Sequence, residues 1–421
     1  MSTHKVRFAS DENIGLLKKI SHSTVVQFFS IVASLLLSSY LIRRIGADSF
    51  GVITSLNAIL AICLIFTTFG WPVILTKTFA VGSHLNSMVV LKRSLKDSII
   101  AIVFVSALLF GLIWSEALSK LSYGFIFLPL LLLLRSLTAL AKAVLDGIGR
   151  VIAEQYSIGI LLPFITIACF AIVDVSGEIN NVLLVYSFSA FLGLMLMVSI
   201  FFFTSKPRLS DEQNSTSEWK RSGNLWLMST SLSNVVLLKA DVIIMGHYVD
   251  SRSIAIYGLI CQVVTVVTMA ISAGNSIFGP VIVKQYQADD LSSARQTFRL
   301  VQKCVLIWSL PLFLVLSVFP GFVLSGLVGE PVDGVFNFCL ILLAFAQMVN
   351  AGTGPVATAL YMKGEIPFFA LSMMASVVLN VIANLLLMPR YGVLGAATAT
   401  ATVIILVNFV QYFRAKSLKI A

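Results

Sequence analysis

The chain has 421 residues, of which 58% are hydrophobic and only 11% charged, with a mean hydropathy of +0.96. Such a composition excludes a water-soluble domain. The net charge of +10 lies mostly in stretches between apolar runs, where anionic lipid headgroups rather than nucleic acid account for it. Hydrocarbon offers no water to an exposed backbone, so only helices or a closed barrel can span it. The apolar runs are about twenty residues long and do not alternate, so the expected fold is an all-α polytopic membrane protein.

Residues 1–21 are polar and charged, too long a lead for a cleaved signal peptide, and are expected to be a cytoplasmic N-terminal segment. Span one, 22–42, carries Gln27, Ser30, Ser34 and Ser38 at steps of three and four. At about 100° per residue these occupy an arc of roughly 80°. The turn "LIRRIGADSFG" leads to span two at 50–72, followed by spans at 97–115, 122–144, 155–174 and 181–204. Span four holds Arg135 in "LPLLLLLRSLTALAK", seven residues before Lys142 and so about 10 Å from its inner end. A polar stretch at 205–223 reads as a cytoplasmic linker.

Span seven, 224–246, places Lys239 and Asp241 inside the apolar run "NVVLLKADVIIMGHYVD". A charge at a helix centre costs roughly 2.5–3.5 kcal/mol on insertion scales, so intramembrane ionisable groups default to function. In span eight, 254–277, Gln262, Thr265, Thr268, Ser272 and Asn275 form one polar stripe. The stretch "DDLSSARQTFRLVQK" reads as a short amphipathic cytoplasmic helix before span nine at 303–326. Span ten, 334–354, ends at Asn350 and "AGTGP", where Gly352, Gly354 and Pro355 are expected to be a hinge. Span eleven, 366–388, spaces Ser372, Ser376, Asn380 and Asn384 four apart, and span twelve, 393–413, precedes a tail at 414–421.

Twelve spans put both termini on one side. Loops on the N-terminal side carry most of the 29 Lys and Arg, whereas the other side has Arg43, Arg44, Lys120, Arg252 and Arg390, so both termini are expected to be cytoplasmic. Two halves, 22–204 and 224–413, share an outer turn ending in Gly after their first span and a Gly-containing inner turn after their fourth. Parallel repeats of this kind put a substrate site between two six-helix lobes.

The polar side chains Gln27, Ser34, Asn234, Gln262, Thr265, Ser272, Asn275, Asn350, Asn380 and Asn384 must avoid lipid, and face either neighbouring helices or a wet cavity. Arg135 and Lys239 put one deep cation in each half, suited to a diphosphate, and Arg can grip phosphate oxygens in a bidentate fork. Asp241 points away from Lys239 and reads as a counter-ion or a coupling group. The five cysteines are dispersed in apolar runs, the four histidines are scattered, and the sequence shows no paired carboxylates, no metal-ligand cluster and no nucleotide-cradling loop. An enzyme is not expected, nor is a cofactor or metal.

The ordered set "RRIGADSFG", "KADVIIMGHYVDSRSIAIYG", "GTGPVATALYMKGE" and "NLLLMPRYGVLGAATATA" resembles the Wzx-type flippases of the multidrug/oligosaccharidyl-lipid/polysaccharide exporter superfamily. The resemblance implies two six-helix lobes around a central cavity, working by alternating access. It implies transport of an undecaprenyl-diphosphate-linked oligosaccharide from the cytoplasmic to the periplasmic leaflet of a bacterial inner membrane, for O-antigen or a related surface polysaccharide. A polysaccharide polymerase and a chain-length regulator are implied as further partners. The competing classes are a multidrug or cation antiporter, which should offer acidic groups to its cargo, and a membrane glycan polymerase, which should carry catalytic loops.

Overall fold

A backbone that must satisfy every donor and acceptor within its own segment becomes helix, and among the described residues there is no strand. The computed structural model of the protein describes residues 2–81, 84–114, 127–173, 179–204, 221–287 and 291–418. Most of the expected linker, 205–220, lies outside the described residues. In chain order the helices are α1 (Ser2–Ile45), α2 (Ala47–Thr68), α3 (Trp71–Val81), α4 (His84–Trp114), α5 (Phe127–Gly147) and α6 (Val151–Glu154). A π-helical stretch, Gln155–Leu161, carries α6 into α7 (Leu162–Ile172), and α8 (Ile179–Thr204) completes the first half. The second half comprises α9 (Arg221–Met245), α10 (Ser251–Gln287), α11 (Leu291–Val318), α12 (Pro320–Val328), α13 (Gly334–Thr353), α14 (Val356–Met362) and α15 (Ile366–Ser417).

Counting α6–α7 as one span and α15 as two, the described residues contain a helix for each of the twelve expected spans. Nine of these helices, α15 counted once, are long and apolar enough to cross a membrane. Several run well past the expected bounds, and local departures occur. Span two stops at Thr68, because Phe69 and Gly70 both take positive φ and Pro72 restarts the chain as α3. Span nine breaks at Phe319, since Pro320 disfavours helix in the residue before it and opens the separate α12. The expected amphipathic helix before span nine is no separate element. From Leu291 it is the first part of α11, whose Ala294, Phe298, Val301 and Val305 are buried at helical spacing. Spans eleven and twelve form one 52-residue element that folds back at Gly392, with φ 54° and ψ −128°, just after Pro389.

Two compact units arise from the contacts: Leu36–Gly258, and Met1–Leu35 together with Leu259–Ala421. The division falls inside α1 and α10 rather than in the 205–223 linker. In the Leu36–Gly258 unit, Leu56 and Leu60 of α2 pack with Leu128, Leu131 and Leu132 of α5 and Leu183 of α8. Hydroxyl bonds tie the same helices, Thr67 to Ser136 at 2.8 Å, and α3 to α5 through Thr76 and the Ala143 carbonyl at 3.0 Å. In the other unit, Val301 and Val305 of α11 pack on Ala270, Ile271 and Ala351, with Trp308 and Met348 alongside.

The start of α10 is set by Asp250, whose carboxylate accepts from the Ser253 N–H at 3.1 Å and the Ser253 hydroxyl at 2.7 Å. Burial alone would raise its pKa, but these bonds and nearby Arg252 outweigh it and hold the carboxyl below its ordinary value. A depressed folded-state value stabilises the native form above the unfolded value and loses that contribution as pH falls through the folded one. Asp250→Ala is therefore expected to cost about 0.5–1 kcal/mol at neutral pH. In thermal melts of the two proteins, the gap should close below about pH 4.

Candidate functional site

The apolar face of α5 is held by Leu131 and Leu132 against α2 and α8, which leaves Arg135 to reach across to α2. There its Nη2 donates to Oδ1 of Asn57 at 2.7 Å. Asn57 is a neutral partner, so it orients the guanidinium without cancelling the charge. The residue is partly exposed and, among the described residues, meets no carboxylate. Asn57 went unremarked in the sequence, although a lone amide in the apolar run "SLNAILAICL" is a signal of the same kind as the arginine.

Helix α9 also packs on α2. Its Lys239 is partly buried and makes no hydrogen bond or ion pair with the described residues. Asp241, 1% exposed, accepts from the Tyr257 hydroxyl of α10 at 2.6 Å. Among the described residues neither Arg135 nor Lys239 bonds it, and Lys239, two residues away on the same helix, diverges from it by about 200°. Thus α2 stands beside two helices that each carry a cation without a carboxylate partner among the described residues, and Asp241 anchors α9 to α10.

The polar stripe of α10 is its open face. From Ser251 to Ser272 this is the most buried of the candidate membrane spans among the described residues, 67% against 50% or less for the others. Past Gly258, the positions of that span left partly or fully exposed are Cys261, Gln262, Thr265, Thr268 and Ser272. Apart from Cys261, the positions left uncovered along this stretch are polar. Gln262 donates to Ser34 of α1, so the rows of α1 and α10 adjoin, and the Thr358 hydroxyl donates to Asn275 at 2.8 Å. Gln27 is partly exposed, and Asn234 on α9 is exposed.

Other polar positions lie elsewhere. Asn380 and Asn384 are fully buried, with Asn384 donating to Asn380 at 3.0 Å and Asn380 to Thr400 at 3.0 Å. They join the two limbs of α15, so in this structure they sit on no open surface. Asn350 donates to Gln347 at 3.2 Å one turn from the break after α13. The break itself is built: Gly354 takes φ 75°, its missing side chain leaves room for Gln302, and the Gln302 amide donates to the Gly352 carbonyl at 2.6 Å. Pro355 follows and prevents the helix from continuing.

A family described as "Polysaccharide biosynthesis protein" matches residues 16–286, more than half of the chain. The chain belongs to the polysaccharide biosynthesis protein family. The matched segment includes Arg135, Lys239, Asp241 and the α10 stripe, and excludes α11 to α15. Agl15 of Haloferax volcanii, described as a probable low-salt glycan biosynthesis flippase, is 23% identical over 371 residues, covering 86% of this chain and 75% of that protein. Among solved structures, the MATE multidrug transporter DinF-BH superposes with a TM-score of 0.70 at 15% identity, over 96% of this chain and 95% of that one. The inward closed conformation of the lipid II flippase MurJ gives 0.65 at 11%, over 94% and 87%. A transporter from Pyrococcus furiosus, described as having a binding pocket of reversed polarity, gives 0.65 at 11%, over 96% of each chain. At these identities the structural likeness establishes the fold, and it is a fold that hosts more than one kind of cargo. In this member of the polysaccharide biosynthesis family, the side chains of the site must therefore decide the cargo.

Proposed function

We propose that this family member is a flippase for polyprenyl-diphosphate-linked oligosaccharides, carrying them from the cytoplasmic to the outer leaflet. The repeats 22–204 and 224–413 are then the two moving lobes, with both termini cytoplasmic and the hydroxyl and amide rows of α1 and α10 lining the path. We take undecaprenyl as the carrier, a bacterial inner membrane as the location, and O-antigen or a related surface glycan as the product. A polymerase and a chain-length regulator would receive the flipped unit. One observation carries the reading: among the described residues Arg135 is held by a neutral amide and Lys239 by nothing, so two deep cations await an anion. A diphosphate is such an anion. Sugar hydroxyls leaving water need replacement hydrogen bonds, and the exposed row from Gln262 to Ser272 offers them.

Deleting the gene in its host is expected to remove surface polysaccharide while lipid-linked units accumulate on the inner leaflet. The unmodified gene should restore both, as read by glycan staining and by leaflet-specific glycan labelling. A deletion strain with normal surface glycan and raised sensitivity to cationic dyes would instead identify a multidrug exporter. The two deep cations argue against that reading, because they repel cationic cargo.

A further inference from the structure

Three helices of the Leu36–Gly258 unit, α4, α5 and α8, form the walls of an apolar cavity of about 240 Å³. These walls include Leu91 and Leu95 of α4, Leu137 and Ala141 of α5, and Val198 and Phe201 of α8, and no polar residue lines the cavity. The cavity is partly open at the protein surface, and an apolar recess of this kind accepts an apolar guest. Phe201 lies three residues before the end of α8 and Leu137 ten before the end of α5, so the cavity spans depths of about 5–15 Å from those ends.

At the same end, α4 presents Lys92, Arg93 and Lys96, all exposed and without a hydrogen bond or ion pair to any described residue. Lys92 and Lys96 are a turn apart on one face, one position round from Leu91 and Leu95, which face the cavity. An amphiphile is complementary to both faces at once. Leu137 and Arg135 are two residues apart, so α5 carries the cavity wall and the deep cation on opposite sides.

We propose that this cavity holds the isoprene units nearest the headgroup of the polyprenyl-diphosphate substrate on the cytoplasmic side, with the diphosphate against Lys92 and Lys96. The assignment rests on the flippase reading above. Two linked phosphates match the paired cations Lys92 and Lys96 better than the single phosphodiester of a bilayer phospholipid does, which selects the carrier lipid as occupant. The tail then stays docked outside the path while the headgroup is handed toward Arg135 on the other side of α5.

The test uses the full chain in nanodiscs of phosphatidylethanolamine and phosphatidylglycerol, with a polyprenyl diphosphate bearing a diazirine on an isoprene unit close to the diphosphate. Peptide mapping of the unmodified protein is expected to place crosslinks on 91–95 and 194–201, and unlabelled polyprenyl diphosphate should compete them away. Ala141→Trp, which fills the cavity, should reduce labelling at least fivefold, and joint Lys92→Gln and Lys96→Gln should raise the half-labelling concentration severalfold. Equal labelling of the same peptides by a diazirine phosphatidylglycerol that polyprenyl diphosphate does not displace would overturn the assignment, as would polyprenyl labelling confined to other helices. The second of these would leave the flippase reading standing. Absence of polyprenyl labelling anywhere on the chain would bring down both. Mapping on the unmodified protein decides the matter even if Ala141→Trp fails to fold.

Discussion

Arg135→Ala is expected to abolish translocation of lipid-linked glycan in cells that still insert the protein at normal levels. The guanidinium is aimed by its bond to Asn57, is partly exposed, and keeps its remaining donors for a ligand. A hydrogen bond to a charged group contributes about 1.5–3 kcal/mol, so each lost phosphate contact should lower transport roughly 10- to 100-fold. Arg135→Lys keeps the charge but loses the fork, and should retain partial activity. Asn57→Ala leaves the charge and frees its direction, and should show a smaller defect than Arg135→Ala. Stability should move little, since the alanine variant leaves only the Asn57 amide without its partner, a loss of about 1 kcal/mol. Leaflet-specific labelling of the glycan, with insertion checked by immunoblot, reads all three. Wild-type transport by Arg135→Ala would refute the cationic path.

Gly51→Val is expected to damage folding more than substitution at either Gly258 or Gly326. A Cβ at Gly51 would run into the carbonyl of Ser251 and lie 3.1 Å from its Cα, so the first turn of α10 would have to move off α2. Backbone cannot rotate away as a side chain can, so the cost should reach or exceed the usual overpacking range of about 1–3 kcal/mol. Gly258 is the matching glycine of the second half, and there a Cβ would meet Cγ2 of Thr54 at 2.6 Å. That methyl can turn, so Gly258→Ala should be milder, about 1 kcal/mol. Gly326 of α12 has open space where its Cβ would be, and Gly326→Ala should be neutral or stabilising by up to about 1 kcal/mol. Thermal unfolding of the three purified variants in detergent gives the ranking directly. Equal melting temperatures would show that α2 and α10 are not held in this close approach.

Much of the architecture was legible from hydropathy alone, and the departures have local causes. The sequence "TTFGWP" hides the end of α2, because an apolar run continues through a backbone that Phe69 and Gly70 have already turned. Phe319 and Pro320 hide a break in the same manner. The amphipathic helix expected before span nine is there from Leu291, but it is continuous with that span, because one face of it is covered by protein and nothing in the backbone breaks the run.

The candidate site was half legible. Lys239, Arg135 and Asp241 announce themselves because charge in an apolar run is costly and therefore retained for a reason. Their surroundings do not. Asp241 could be assigned to a cation or to coupling from spacing, and only the approach of α10 gives it Tyr257. The stripes of α10 and α15 look alike in sequence, yet one is left open and the other closes between the two limbs of a folded-back helix.

By itself the sequence determined the apolar helical segments and the residues too polar for lipid, because those follow from transfer free energies that act on each segment separately. Tertiary structure alone decided which polar groups satisfy one another. Ser34 meets Gln262, Asn57 meets Arg135, and Asn380 meets Thr400. Helical periodicity names a face, but a partner on another helix is chosen only when apolar packing fixes how the two helices lie together.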